Sequence, residues 1–180
     1  MPAKVVLKIH QTLDGFVCTT SGDEMWASGH MDESVFTWET EHLWLAGVHI
    51  MGRKLYQAME SYWPSSTEAP AAPMNEIPKV VFSKTLKTTA WGPARIVNTD
   101  LSAEINRSRQ STDKVILAQG GASFAQSLAR LNIIDEYRLL VHPVTLGSGL
   151  PCIATPLTLR FVSHYEFPSG VVALTYARTS

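Results

Sequence analysis

The segment Lys114-Val115-Ile116-Leu117-Ala118-Gln119-Gly120-Gly121-Ala122-Ser123-Phe124-Ala125-Gln126-Ser127-Leu128 constrains the fold more than any other stretch of the chain. Val115 to Ala118 is a short unbroken apolar run, the pattern of a strand covered on both faces. Gly120 and Gly121 then admit backbone conformations that a Cβ forbids, and they let another group come close. Ser123 and Gln126 have the spacing of a capping box, which predicts a helix starting there. Phe124, Leu128 and Leu131 follow at i, i+4 and i+7 and give that helix one apolar face. Such a turn sets unpaired helical N–H groups at the carboxyl end of a strand, a place suited to a phosphate. The same residues also serve as a tight strand-to-helix turn with no ligand, and this segment alone leaves both readings open.

The rest of the chain alternates in the same way. Val5, Val6, Leu7 and Ile9 form a first strand, broken by Asp14-Gly15. Thr19 to Gly29 reads as a loop with Met25 and Trp26 embedded. Asp32 or Ser34 caps a helix carrying Val35, Phe36, Trp38, Leu43 and Leu45. Val48 to Met51 is a second strand, ended by Gly52, and Leu55, Met59 and Tyr62 face inward from the next helix. Pro64 to Pro78 holds four prolines and reads as a surface loop. Val80 to Phe82 and Arg95 to Val97 are short strands, and Ser102 to Arg109 is a helix between them and the glycine turn. Tyr137 to His142, Leu157 to Ser163 and Val171 to Ala177 are the last strands, with Gly147-Ser148-Gly149 a flexible turn. Pro168-Ser169-Gly170 turns the final pair into a hairpin. The alternation predicts an α/β fold, with a mostly parallel central sheet between helical layers and an antiparallel C-terminal hairpin.

The 180 residues suit one domain across 1–180 with a substantial core. The 15 basic and 16 acidic side chains leave a net charge of -1, which offers no attraction to nucleic acid or an anionic membrane. No apolar run approaches the roughly 20 residues needed to span a bilayer. The N-terminus lacks the charged, apolar and small-residue regions of a signal peptide, so a cytoplasmic location is expected. The two cysteines, Cys18 and Cys152, read as buried thiols in a reducing compartment. The six histidines show no metal-ligand spacing, and no metal is expected.

Three strand ends carry residues suited to an extended anion. Gly52-Arg53-Lys54 follows the second strand, Ser83-Lys84-Thr85 the third, and Gly120-Gly121-Ala122-Ser123 the fifth. In an open parallel sheet, ligands bind outside the carboxyl ends of the strands, so the three are expected to converge. Each has a bland reading of its own, as first-turn or turn residues.

The order of these motifs resembles the dihydrofolate-reductase-like superfamily, and within it the reductase domain of bacterial riboflavin biosynthesis and its stand-alone relatives. Thr12-Leu13-Asp14-Gly15-Phe16-Val17, Ile50-Met51-Gly52-Arg53-Lys54-Leu55-Tyr56, Lys79-Val80-Val81-Phe82-Ser83-Lys84-Thr85-Leu86 and Gln119-Gly120-Gly121-Ala122-Ser123-Phe124 carry the resemblance. Ile134-Asp135-Glu136-Tyr137 and His142-Pro143-Val144-Thr145-Leu146-Gly147-Ser148-Gly149 extend it to nearly the whole chain. The resemblance implies a three-layer αβα reductase that uses NADPH. It sets Gly52, Arg53 and Lys54 against the cofactor's phosphates and Ser83, Lys84 and Thr85 near the adenosine 2′-phosphate. It sets Gly120, Gly121, Ala122, Ser123 and Phe124 around the pyrophosphate. Asp14 is the implied catalytic residue near the nicotinamide, with Phe16, Glu33 and Phe36 on the substrate side. It also implies a homodimer, for which the apolar C-terminal strands are a candidate interface.

The departures narrow the activity. An ungapped alignment back from Gly52 puts Phe36 where dihydrofolate reductases carry their substrate carboxylate, which argues against folate reduction. The chain has no H-x-E and no C-x-x-C, the zinc ligands of the deaminase often fused to the riboflavin enzyme, so no deamination is expected. Reduction of a small heterocycle, most like 5-amino-6-(5-phosphoribosylamino)uracil, is the leading expectation. Dihydrofolate reduction and a non-catalytic nucleotide-binding module are the alternatives.

Overall fold

A computed structural model describes residues 2–179. The chain divides into two compact units, Met1–Val5 with Phe36–Gln119 and Val6–Val35 with Gly120–Ser180. It passes between them inside β1 (Val5–Thr12), inside α1 (Glu33–Trp44) and at the Gln119–Gly120 bond.

The first unit holds β3 (Ala46–Gly52), α2 (Arg53–Glu60), α3 (Ala71–Glu76), β4 (Lys79–Phe82), β5 (Ala94–Val97), α4 (Leu101–Ser111) and β6 (Val115–Gln119). Its strands run in the order β5-β4-β3-β6, and every pairing is parallel. Ile116, Leu117 and Ala118 are all fully buried, so β6 is covered on both faces as its unbroken apolar run predicts. Asp100 caps α4 by accepting the Ala103 N–H at 2.9 Å, which the sequence reading had not identified.

Two expectations fail here for packing reasons. Pro64 to Pro78 is not a plain surface loop. A 3₁₀ turn over Trp63–Ser65 and α3 occupy it, with Ala71, Met74 and Ile77 buried. A fifteen-residue structureless connection is rare in a compact fold, and these apolar residues give the stretch something to bury. On α2, Tyr56 is the fully buried residue, while Tyr62 lies beyond the helix and is exposed. The Tyr56 hydroxyl donates to the Trp91 carbonyl at 2.9 Å and accepts the Trp91 N–H at 3.0 Å, which lets a phenol replace an aliphatic side chain in the core.

The second unit holds most of β1, β2 (Phe16–Cys18), α5 (Ala122–Arg130), β7 (Glu136–His142), β8 (Leu150–Pro151), β9 (Leu159–Glu166) and β10 (Val172–Arg178). Its main strands run β1-β7-β10-β9, with β1 and β7 parallel and the β10 pairings antiparallel. β2 and β8 form a separate two-stranded ladder. The hairpin turn sits where Pro168-Ser169-Gly170 predicts it, with Gly170 at φ +86°. β9 begins two residues later than expected and runs on to Glu166. A 3₁₀ turn over Met25–His30 interrupts the stretch expected to be a loop. Asp32, not Ser34, caps α1, accepting the Val35 N–H at 2.9 Å.

Lys79 stands out in the first unit because only 1% of its surface reaches solvent. Its ammonium donates to the Ile77 carbonyl at 3.0 Å and the Asn75 carbonyl at 3.4 Å, and lies 4.3 Å from the centre of the Trp91 ring. Trp91 Nε1 donates to Asn75 Oδ1 at 2.7 Å and closes the cluster. Burial pulls the Lys79 pKa down from 10.5 to about 8. Between those values the folded chain holds Lys79 neutral while the unfolded chain keeps it charged, so this group makes stability rise with pH across the window. The rise is on the order of 3 kcal/mol. Denaturant titrations at pH 7.5 and pH 10.5 are expected to show the rise in the wild type and its loss in Lys79→Met. The same slope in both proteins would contradict this account.

Candidate functional site

In the first unit, β3 and β4 are parallel neighbours with Gly52 opposite Phe82. Their carboxyl ends therefore deliver Gly52-Arg53-Lys54 and Ser83-Lys84-Thr85 to the same edge of the sheet, as expected. Gly52 is the N-cap of α2 and supplies no side-chain cap, so the first N–H groups of that helix are left to solvent or a ligand. Arg53 is half-buried and donates to Gln57 Oε1 at 3.0 Å, while Lys54 is exposed. The Ser83 hydroxyl oxygen accepts the N–H groups of Thr85 at 3.2 Å and Leu86 at 2.9 Å. It shapes the turn that presents Lys84 and Thr85, both exposed, and is itself spent on the backbone. Gln119 ends β6 at this same edge, since β3 and β6 are also parallel.

In the second unit, the glycine turn is forced by two separate constraints. A Cβ on Gly120 would lie 2.4 Å from Ile9 Cγ1, closer than real Cβ atoms come. Gly121 sits at φ +147°, where an L side chain is strained. The capping box expected at Ser123 and Gln126 is absent. α5 starts one residue earlier, at Ala122, with Gly121 as its N-cap and no side-chain cap. Gln126 instead donates to the Pro151 carbonyl at 2.8 Å. Leu128 faces inward as expected, but its inward companions are Ala122, Ala125 and Ala129, while Phe124 is only half-buried. Leu131 is exposed, and small alanines allow closer packing than the larger side chains would. Gly121 thus opens a nine-residue helix without spending a side chain on its first N–H groups, a start that suits an anion cradle.

Asp14 occupies the turn between β1 and β2. Its carboxylate accepts the Thr12 hydroxyl at 2.6 Å, the Gly147 N–H at 2.8 Å and the Leu146 N–H at 3.2 Å. The Thr12 hydroxyl, which in turn accepts the Phe16 N–H, and the two backbone N–H groups hold the Asp14 pKa below 3.8. Such a group is a fixed carboxylate that latches two loops together, not a reservoir of protons near neutrality. Phe16 is half-buried beside Gly149, where a Cβ would meet the Cys18 carbonyl at 2.3 Å and Phe16 at 3.2 Å. Glu33 opens α1 and is exposed, suited to the positive end of the helix dipole. Phe36 lies one turn further along and is half-buried.

The sequence reading missed a histidine pair. His10 Nδ1 and His142 Nε2 are hydrogen-bonded at 2.8 Å, one donating to the other. His142 is fully buried, with Trp26 edge-on at 5.2 Å and His30 edge-on at 6.1 Å between ring centres. Trp26 is fixed by donating from Nε1 to the Val17 carbonyl at 3.1 Å. The pairing of β1 with β7 brings the two imidazoles together across 132 residues, and no local spacing announces it. Among the described residues no group of histidine, cysteine and carboxylate side chains is placed to hold a metal ion. Cys18 and Cys152 are buried and not bridged, and burial pushes the Cys152 thiol up to about 12, which keeps it protonated and unreactive. Among the described residues no helix is long and apolar enough to cross a membrane.

Comparisons with known proteins identify the family and the fold. The model of the RibD C-terminal domain family matches residues 3–173. The protein YyaP of Bacillus subtilis (strain 168), itself uncharacterized, is 28% identical over 96% of this chain and 94% of its own. The riboflavin biosynthesis protein RibD of Corynebacterium ammoniagenes is 24% identical over 86% of this chain, and the match takes in 47% of that longer protein. The crystal structure of a pyrimidine reductase-like protein from Corynebacterium diphtheriae superposes with a TM-score of 0.75 at 13% identity, over 99% of this chain and 92% of that one. The fold is accordingly that of the riboflavin reductase domains, with a mostly parallel central sheet, flanking helices and an antiparallel hairpin.

The Asp14 latch has a definite pH signature. A carboxylate whose folded pKa is depressed stabilises above its unfolded value and loses that contribution as pH falls through the folded one. Asp14→Asn is expected to lower the melting temperature by a few degrees at pH 7, with the gap to wild type closing towards pH 3. A gap of equal size at both pH values would mean that the charge is not what holds the loops. By its length, its order of motifs and the match across 3–173, the chain belongs to the RibD C-terminal domain family.

Proposed function

We propose that this chain is an NADPH-dependent reductase of a small heterocyclic substrate, most like 5-amino-6-(5-phosphoribosylamino)uracil. The observation that carries the reading is the family match across residues 3–173. When bound, NADPH supplies the hydride, and the protein binds and orients it. The residues present suit that group. The first unit offers Arg53, Lys54 and Lys84 at one sheet edge, beside the uncapped start of α2. The second offers the uncapped start of α5, behind two glycines that nothing bulkier can replace. Lys84, exposed on a turn held by Ser83, is the charge that favours a 2′-phosphate and hence NADPH over NADH.

The family resemblance supports Phe16, Glu33 and Phe36 as the substrate-side residues, and Asp14 shapes the turn that leads into Phe16. Because the Asp14 carboxylate stays ionised and fully engaged, the proton that accompanies hydride transfer comes from water or from another group. A non-catalytic nucleotide-binding module is the second reading. The engagement of Asp14 and the aromatic Phe36 on α1 favour it, since neither leaves an evident acid.

Titration with NADPH and NADH, followed by cofactor fluorescence, tests the reading. Tight binding selective for NADPH is expected. Lys84→Ala is expected to weaken NADPH about tenfold and NADH little, a loss of one charge-assisted contact. Gly121→Val is expected to abolish binding of both while circular dichroism shows a folded protein; wild-type affinity in that variant would remove the turn from the cofactor site. Steady NADPH oxidation with the aminouracil would dismiss the non-catalytic reading. Selective binding with no oxidation of any pyrimidine or pterin would favour it.

A further inference from the structure

The second unit holds a cavity of about 400 Å³ beside the amino end of β7, lined in part by Arg130, Tyr137, Thr155, Leu157, Leu159 and Arg178. Its volume falls within the range of small-molecule sites. The turn of Gly120 and Gly121 stands at the other end of α5, nine residues and about 13 Å away along the helix axis. The cavity is therefore separate from the turn assigned to phosphate.

Thr155 lies between β8 and β9, and its Oγ1 is closed to solvent with no hydrogen-bond partner. A hydroxyl left in that state costs stability that the free chain does not recover. Rotation about χ1 exchanges the hydroxyl with the other groups on Cβ, so the same residue can turn it towards a bound molecule. The charges around the cavity leave a small positive excess. Arg178 donates to the Asn132 carbonyl and, at 3.2 Å, to the Asp135 carboxylate. Asp135 thus matches its charge and fixes its guanidinium, which keeps N–H groups to spare. Arg130 is exposed and donates to the neutral Ser127 hydroxyl at 3.2 Å. It is offset only by the roughly half charge at the carboxyl end of α5. Leu157 and Leu159 are half-buried and Tyr137 is fully buried, so part of the wall is apolar. Burial pushes the Tyr137 hydroxyl up to about 12, which keeps the phenol neutral beside an anion.

We propose that this cavity binds a small organic monoanion, an apolar body that carries one carboxylate. The carboxylate lies against the guanidiniums of Arg130 and Arg178, the body packs on Tyr137, Leu157 and Leu159, and Thr155 supplies a hydroxyl. A dianion would exceed the charge the site can match.

Calorimetric titration of the full chain with naphthoate tests this, with the uncharged amide naphthamide as the control and amide NMR to locate the site. Saturable one-to-one binding of naphthoate is expected, with shifts at the amides of Asn132, Thr155 and Thr158 and none at Gly121. Naphthamide is expected to bind about tenfold more weakly, for want of a charge-assisted contact. Arg130→Gln is expected to weaken naphthoate about tenfold and naphthamide little. Thr155→Val is expected to raise the melting temperature of the free chain, by removing an unpaired hydroxyl, and yet to weaken naphthoate. Saturating NADPH is expected to leave naphthoate affinity unchanged. Absence of saturable binding would overturn the proposal. So would an affinity unmoved by both Arg130→Gln and Thr155→Val, and so would displacement of naphthoate by NADPH, which would put it in the cofactor site instead.

Discussion

The side chain of Ile9 fills the space that a Cβ on residue 120 would need, and much of the second unit follows from that contact. With glycine there, the Gly120 N–H reaches the Lys8 carbonyl at 3.2 Å and ties the turn to β1. Gly121 then reverses the chain at a positive φ, and α5 begins with no residue left over to cap it. A larger residue at 120 would push the turn off β1, and one at 121 would strain it by about 1–3 kcal/mol. The open helix start is therefore a by-product of close packing as much as a device for ligands. Packing explains why two glycines stand there, and it leaves a row of N–H groups that a phosphate can use at no further conformational cost.

The carboxylates of this unit work the other way round. Read along the chain, Asp14 is the implied catalytic residue and Asp32 a candidate helix cap. In the fold both are spent on backbone. Asp14 gathers the N–H groups of Leu146 and Gly147, and Asp32 caps α1 while also accepting the Ser169 N–H at 3.0 Å. Each joins segments more than 130 residues apart, and hydrogen bonds hold each ionised, from Thr12 in one case and Ser34 in the other. The imidazoles of His10 and His142 are likewise engaged, each by the other, at 2.8 Å.

These two cases show why some of the molecule is legible in its sequence and some is not. β6, the glycine turn and the hairpin at Gly170 are local. A few adjacent residues decide them through backbone freedom and the alternation of burial, and each stands where the pattern puts it. The shared edge of Gly52-Arg53-Lys54 and Ser83-Lys84-Thr85 belongs to the same class, because the ends of paired parallel strands lie together by construction. Errors begin where the outcome depends on a distant partner. Tyr56 is buried because Trp91 meets its hydroxyl, Pro64 to Pro78 is ordered because Ala71, Met74 and Ile77 find a core, and Gln126 leaves its expected cap for Pro151.

The same distinction bears on what this family fold can be used for. Phosphates are bound by main-chain N–H groups and point charges at strand ends, which any sequence with the right turns supplies. A heterocycle is selected by side chains, and Phe16, expected on the substrate side, has surroundings that a distant residue, Gly149, decides. Changes at such positions leave the backbone turns at the strand ends undisturbed. The strand-end turns are fixed by backbone freedom and short-range sequence, whereas the surroundings of Phe16 are fixed by Gly149, 133 positions away.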